Sequence, residues 1–194
     1  MNQPLKKQAG AMPDDDAESF GVYPTPNSVH LERILPGPVE RVWAYLTEPD
    51  KRAQWFASGI MPATVGASFE LLFNNQTLGK SGSDTPERFR KYENKTMGSV
   101  ITRYEPPHAL GFTFGTGPDS SEVLFELSRH AKGVLLVVKH WKLTTRDGML
   151  NVSAGWHTHL GVLGDLLNEH PARPFWQRFE SLEQEYQRRI PGLS

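Results

Sequence analysis

The chain has 194 residues, 38% of them hydrophobic, and 21 Lys and Arg stand against 22 Asp and Glu for a net charge of −1. That length supports one substantial core, and the charge balance provides no general field for nucleic acid or an acidic membrane surface. The absence of cysteine excludes disulfides, thiolate-held metal centres and a thiol nucleophile, and it fits a reducing cytoplasm.

Residues 1–27 combine proline, glycine and an acidic run with few core-forming side chains, which predicts a flexible lead-in to a single domain over 28–190. No long apolar stretch follows the opening residues, so neither a secretory signal nor a membrane anchor is expected. The Asn-x-Ser/Thr triplets at Asn75, Asn94 and Asn151 therefore carry no weight. Val29 and Leu31 alternate with His30 and Glu32 as in a strand, which Pro36 and Pro38 end. Pro38 suits the start of a helix whose apolar face is Val39, Val42, Trp43 and Leu46. A second short helix, with Thr47 as its cap and Asp50 three residues on, brings Trp55 and Phe56 to a buried side.

Phe69, Leu71 and Phe73 share one face of the next strand and form a candidate interior wall. Residues 74–95 are polar and longer than an ordinary loop, which predicts either a mobile cover or an irregular excursion, with a poorly marked strand inside it. Strand patterns resume at 97–104, at Leu110, Phe112 and Phe114 beyond the Pro106-Pro107 turn, and at Val123, Phe125 and Leu127. A further strand over 133–141 has apolar groups on both faces, which predicts the core on one side and some cover on the other. After a turn at 144–148, Trp156, Leu160, Leu163 and Leu167 recur at helical spacing. Gly155, Gly161 and Gly164 weaken that helix and permit close approach to a neighbour. Pro171 and Pro174 interrupt it before a last helical piece bearing Phe175, Trp176, Phe179, Leu182 and Tyr186.

This order of elements resembles the helix-grip (START-like, Bet v 1-like) fold, an α+β architecture in which a curved antiparallel sheet wraps a long C-terminal helix. More narrowly, residues 38–46 followed by Trp55, residues 98–107, the run Gly155-Trp156-His157-Thr158-His159-Leu160 and the later Phe175-Trp176 resemble SRPBCC domains of the AHSA1-like family. That family is related to the C-terminal domain of the Hsp90 ATPase activator. The resemblance runs from Ser28 to Arg189 and implies an interior cavity between sheet and helix.

Around such a cavity the sequence places Phe69, Leu71, Phe73, Phe112, Phe125, Trp156, Leu160 and Leu163, with Trp55 and His140 near one end. The function expected is binding or sensing of a small hydrophobic or amphipathic molecule, by a monomer or homodimer, with no cofactor, nucleic acid or membrane insertion. Two alternatives stand beside it: a cyclase- or hydrolase-like enzyme, and a protein-interaction module related to chaperone regulation and stress response. The second would use an outward Trp176 or the 74–95 segment.

Catalytic patterns are weak. His157 and His159 project to different sides of a helix and lack the spacing of a zinc hydrolase, so no metal is expected. Ser153 and His157 have helix-neighbour spacing without an acidic third member, and Glu32, Glu70, Glu122 and Glu126 fix no acid–base pair. His140 shares a strand face with Val134, Leu136 and Val138, where a buried imidazole needs a hydrogen-bond partner. Arg173, Arg178, Arg188 and Arg189 alternate with Glu180, Glu183 and Glu185, which reads as a solvated helix face.

Overall fold

A computed structural model describes residues 18–79 and 85–190. Its six strands are β1 (Val29–Leu35), β2 (Ser68–Phe73), β3 (Lys95–Glu105), β4 (Ala109–Phe114), β5 (Ser121–His130) and β6 (Gly133–Trp141). They form one antiparallel sheet in the order β1-β6-β5-β4-β3-β2. Two short helices, α1 (Val39–Thr47) and α2 (Pro49–Arg52), join β1 to β2, and the long α3 (Arg146–Leu167) precedes α4 (Phe175–Arg189). The expected α+β helix-grip architecture is therefore the observed one.

Period-two alternation sets the inner face of the sheet. In β6, Val134, Leu136, Val138 and His140 are buried, while Leu135, Val137, Lys139 and Trp141 on the outer face are of intermediate burial. Val123, Phe125 and Leu127 of β5 and Ile101 of β3 continue the inner face. α3 lies against it, and its first turn is capped by Thr145, whose hydroxyl accepts the Gly148 N–H at 3.0 Å. The segment 74–94 holds no strand among its described residues, since β3 starts only at Lys95; it has two 3-10 turns, Asn75–Thr77 and Glu87–Tyr92. Gly79 (φ +83°) passes so close to the α3–α4 connection that a Cβ there would meet the Arg173 carbonyl oxygen at 2.2 Å.

Two further expectations change. Thr47 does not cap α2: its hydroxyl turns back to donate to the Trp43 carbonyl, and Glu48 takes the cap position without a side-chain bond. Of the lead-in expected over residues 1–27, residues 1–17 lie outside the described residues, and from Glu18 onward the chain is packed. Val22 bridges His30 through two backbone hydrogen bonds of 2.9 Å, the Gly21 N–H donates to the Tyr186 hydroxyl, and Tyr23 donates to Ser153. The rings of Phe20, His157 and Tyr186 meet edge to face.

Arg52 ties α2 to the loop beyond it. Fully buried, it donates to the carbonyls of Thr47 (2.9 Å), Ala57 (3.1 Å) and Gly59, and burial lowers it to about 10. Replacing it with Met strands these carbonyls, so Arg52→Met is expected to cost about 2–3 kcal/mol. A urea midpoint equal to that of the wild type would show that water already serves them.

Three imidazoles are also buried, and desolvation depresses His140 to about 3 and His157 and His159 to about 4. Their folded-state values lie below the ordinary 6.5, so the unfolded chain binds more protons between the two values. Stability is thus complete above pH 6.5 and falls as the pH drops toward 4, on the order of 2 kcal/mol per imidazole by pH 5. Urea unfolding at pH 7 and pH 5 measures it; equal free energies at the two values would mean that these rings remain free to protonate in the fold.

Candidate functional site

A cavity of about 490 Å³ opens between the cover segment, the β2–β3 end of the sheet and the facing sides of α3 and α4. Aromatic rings dominate its wall. Phe56 stacks on Trp156 (centroids 4.9 Å apart) and meets Phe73 edge to face, while Phe114 leans against both Phe56 and Trp156. On the α4 side, Phe175, Trp176 and Phe179 form the wall, and Phe89 of the cover stacks on Trp176 at 5.1 Å with the rings 16° from parallel. The cover is latched from outside, because Arg88 donates to both carboxylate oxygens of Glu183 at 3.0 and 2.5 Å.

The α3 wall follows from helix geometry. Asn151, Gly155 and His159 are four residues apart and present one stripe to the cavity, with Val152 and Trp156 flanking it. Gly155 matters most. A Cβ built there meets nothing within 4 Å, so the glycine opens volume instead of admitting a neighbour. It keeps that volume although a mid-helix glycine costs about 1 kcal/mol relative to alanine.

The wall carries few polar groups. His159 Nδ1 lies 2.7 Å from the Trp55 carbonyl and must donate to it, so this neutral ring keeps Nε2 as an acceptor. The Trp176 indole N–H and the Asn75 side-chain oxygen are buried without a partner. Lys95 and Thr96 of β3 stand on the β2–β3 side. Among the described residues no group of three or more His, Asp or Glu is arranged to hold a metal, and no helix is long and apolar enough to cross a membrane.

Of the ten residues placed around a cavity by sequence, Phe73 and Trp156 line it. The other eight are packed in the core. Phe69, Phe112 and Phe125 form a chain of ring contacts at 5.7 and 5.8 Å, and Leu71, Leu160 and Leu163 fill the interior beside them. Trp55 is fully buried and donates its indole N–H to the Tyr45 carbonyl at 2.8 Å. His140 has both nitrogens satisfied: the Trp156 indole donates to Nδ1 at 2.9 Å, which leaves the Nε2 proton to donate to Ser121 at 2.8 Å. These eight lie behind the cavity wall in the packed core, and the hollow lies where α4 and the cover face α3 and the β2–β3 side of the sheet. Trp176 packs inward under Phe89 and is not available for an outward contact.

The residues missed by sequence are Phe56, Phe89, Tyr92, Phe114 and the Asn151–Gly155–His159 stripe, together with Phe175, Trp176 and Phe179. The four-residue recurrence of Asn151, Gly155 and His159 was a readable signal. Nothing in the pattern of 87–92 marks Phe89 as an inward ring.

Comparison with known proteins gives a consistent picture. The solution NMR structure of the protein encoded by gene BPP1335 of Bordetella parapertussis has 40% sequence identity and a TM-score of 0.76, over 97% of each chain. CalU16 from Micromonospora echinospora has 21% identity and a TM-score of 0.62 over 84% of this chain and 87% of its own, which extends the likeness of fold. DynU16, a protein of the dynemicin biosynthetic locus, has 25% identity and a TM-score of 0.59 over 77% of this chain and 51% of its own. No curated protein matches. The family described as Activator of Hsp90 ATPase homolog 1-like protein matches over residues 36–168, from the start of α1 to the end of α3, and the chain belongs to that family.

Proposed function

We propose that the chain binds a small, mostly apolar molecule in the cavity between α3, α4 and the cover segment. The observation that carries this reading is the aromatic hollow of about 490 Å³ kept open at Gly155. A wall of Phe, Trp and Met removes a guest's apolar surface from water at about 25 cal/mol per Å². A few polar groups fix its orientation. The unpaired Trp176 N–H and the acceptor nitrogen of His159 are suited to that second role. The place of DynU16 in a biosynthetic locus supports a small-molecule guest.

Gly155 provides the test. Gly155→Trp puts an indole into open space and is expected to reduce binding of a naphthalene-type fluorescent probe at least tenfold while circular dichroism stays native. Gly155→Ala, which fills little of the volume, should stabilise the fold by up to about 1 kcal/mol. Leu160→Trp is a contrasting control, because it overpacks a filled core and should cost about 1–3 kcal/mol. Unchanged probe affinity in a folded Gly155→Trp protein would rule out this cavity as the binding site.

A further inference from the structure

On the side of α3 turned away from the cavity lies a second cluster of a different kind. Alternation along β1 turns Arg33 inward between Leu31 and Leu35, where it is 5% exposed. Its Nη1 donates to the carbonyls of Ser19 (2.9 Å) and Glu32 (2.7 Å), while Nε and Nη2 have no partner. Arg173 is held rigidly: Asp165 accepts from its Nε at 2.8 Å, its Nη2 at 2.7 Å and its backbone N–H at 2.9 Å. Gly161 makes room for it, since a Cβ there would lie 2.9 Å from Arg173 Nη1. That nitrogen is left to face Glu18. His157 completes the group from α3. The Glu18 carboxylate in front of His157 Nε2 can only accept, so Nε2 carries the ring proton and Nδ1 accepts from the Tyr186 hydroxyl, which itself accepts from the Gly21 N–H.

Arg173 Nη1 and His157 meet the carboxylate of Glu18, which fits them poorly, and Arg33 acts on it through its charge alone. Glu18 Oε1 takes Arg173 Nη1 at 2.8 Å, but Oε2 stands 3.5 Å from His157 Nε2 and 3.9 Å from Arg178 Nη2. His157 Nε2 and Glu18 Oε2 both remain without a hydrogen bond of normal geometry. Buried donors of this kind are seldom left unfilled. Arg173 is shared between Glu18 and Asp165, and Arg178 comes within 3.9 Å of Glu18. The expectation of a solvated basic face therefore fails for Arg173 and Arg178, which turn toward this cluster.

We propose that Glu18 occupies, as an intramolecular stand-in, a binding site for a phosphate-class oxyanion built by Arg33, Arg173, Arg178 and His157. A tetrahedral anion brings more acceptor oxygens than a carboxylate and can serve Arg33 and His157 along with Arg173. The segment that carries Glu18 is held by the Phe20 ring against His157, Tyr186 and the Arg189 guanidinium, by the Ser19 carbonyl on Arg33, by the Gly21 bond to Tyr186, by the Val22 bridge to His30 and by the Tyr23 bond to Ser153. Entry of an anion requires these contacts to open. Burial raises Glu18, but His157 and the Arg173 and Arg33 charges outweigh it and hold the carboxyl at about 2, so the stand-in stays charged at neutral pH.

The test is a phosphate titration of the wild type and Glu18→Ala, with acetate and chloride at matched ionic strength. Phosphate is expected to bind Glu18→Ala saturably, at least tenfold more tightly than the wild type and more tightly than acetate, and to raise its melting temperature. In the wild type, phosphate should shift the Gly21 amide resonance as the segment is displaced. Adding Arg33→Met to Glu18→Ala should abolish the effect. Acetate matching phosphate, or chloride reproducing the shift, would overturn the proposal and leave Glu18 as a structural anchor. If Glu18→Ala does not fold, Glu18→Gln and the wild-type Gly21 resonance carry the same decision.

Discussion

The structure depends on burying α3 on nearly every side. Fourteen of its twenty-two residues are buried, and a helix so enclosed must have every polar side chain answered from a neighbouring element. The sheet covers one side, α4 a second, the segment beginning at Glu18 a third, and the loop after α2 a fourth. Each neighbour answers a specific group: the Trp156 indole bonds to His140, His157 to Tyr186, His159 to the Trp55 carbonyl, and Asp165 to Arg173. Thr158 bonds within the helix to the Ala154 carbonyl. The helix carries four glycines, which lower its intrinsic propensity, so tertiary packing and these bonds hold it in place.

That constraint gives the helix faces of opposite character. On the face toward β5 and β6, Trp156 packs on Phe125 and bonds to His140, and side chains of both layers interlock. On the neighbouring face, Asn151, Gly155 and His159 turn toward α4 and the cover. A hollow arises there because Gly155 contributes no side chain and the cover presents only the rings of Phe89 and Tyr92 among its described residues. The energetic consequence is that apolar wall atoms there lack the close neighbours that a filled core provides. The bidentate Arg88–Glu183 pair anchors the cover at its outer edge, where solvent screens it and limits its strength.

The fold was legible because its strands alternate clearly and its helix breaks fall at prolines. Val29 through Glu32 and Leu110 through Phe114 show period two, and Pro171 and Pro174 separate α3 from α4 as the backbone chemistry of proline requires. The hollow was much less legible. An apolar residue such as Leu160 or Phe112 has the same periodicity whether it faces a neighbour or empty space, so eight core residues were read as lining. Phe89 and Tyr92 sit on a 3-10 turn too short to show a period, within a segment whose polarity suggests solvent. Gly155, Gly161 and Gly164 look equivalent in sequence, yet Gly155 faces open volume and Gly161 accommodates Arg173. Arg33 was visible as an inward position of β1, but the alternation was read from Val29 to Glu32 and stopped one residue short.

Hydrogen-bond direction explains how one helix can support two different chemistries. His157 and His159 are two residues apart, about 200° around the helix, and both are neutral near pH 7 because burial depresses them. Their tautomers are nevertheless opposite. His159 spends its proton on the Trp55 carbonyl and presents a lone pair toward the aromatic hollow. His157 receives a proton from Tyr186 and presents an N–H toward the carboxylate of Glu18. The backbone and hydroxyl groups packed behind each ring therefore decide what its front can recognise: hydrogen-bond donors on the cavity side, and anionic oxygens on the side of Arg33 and Arg173. Neither ring needs to change its charge for this division to hold, so the difference persists wherever the fold itself is stable.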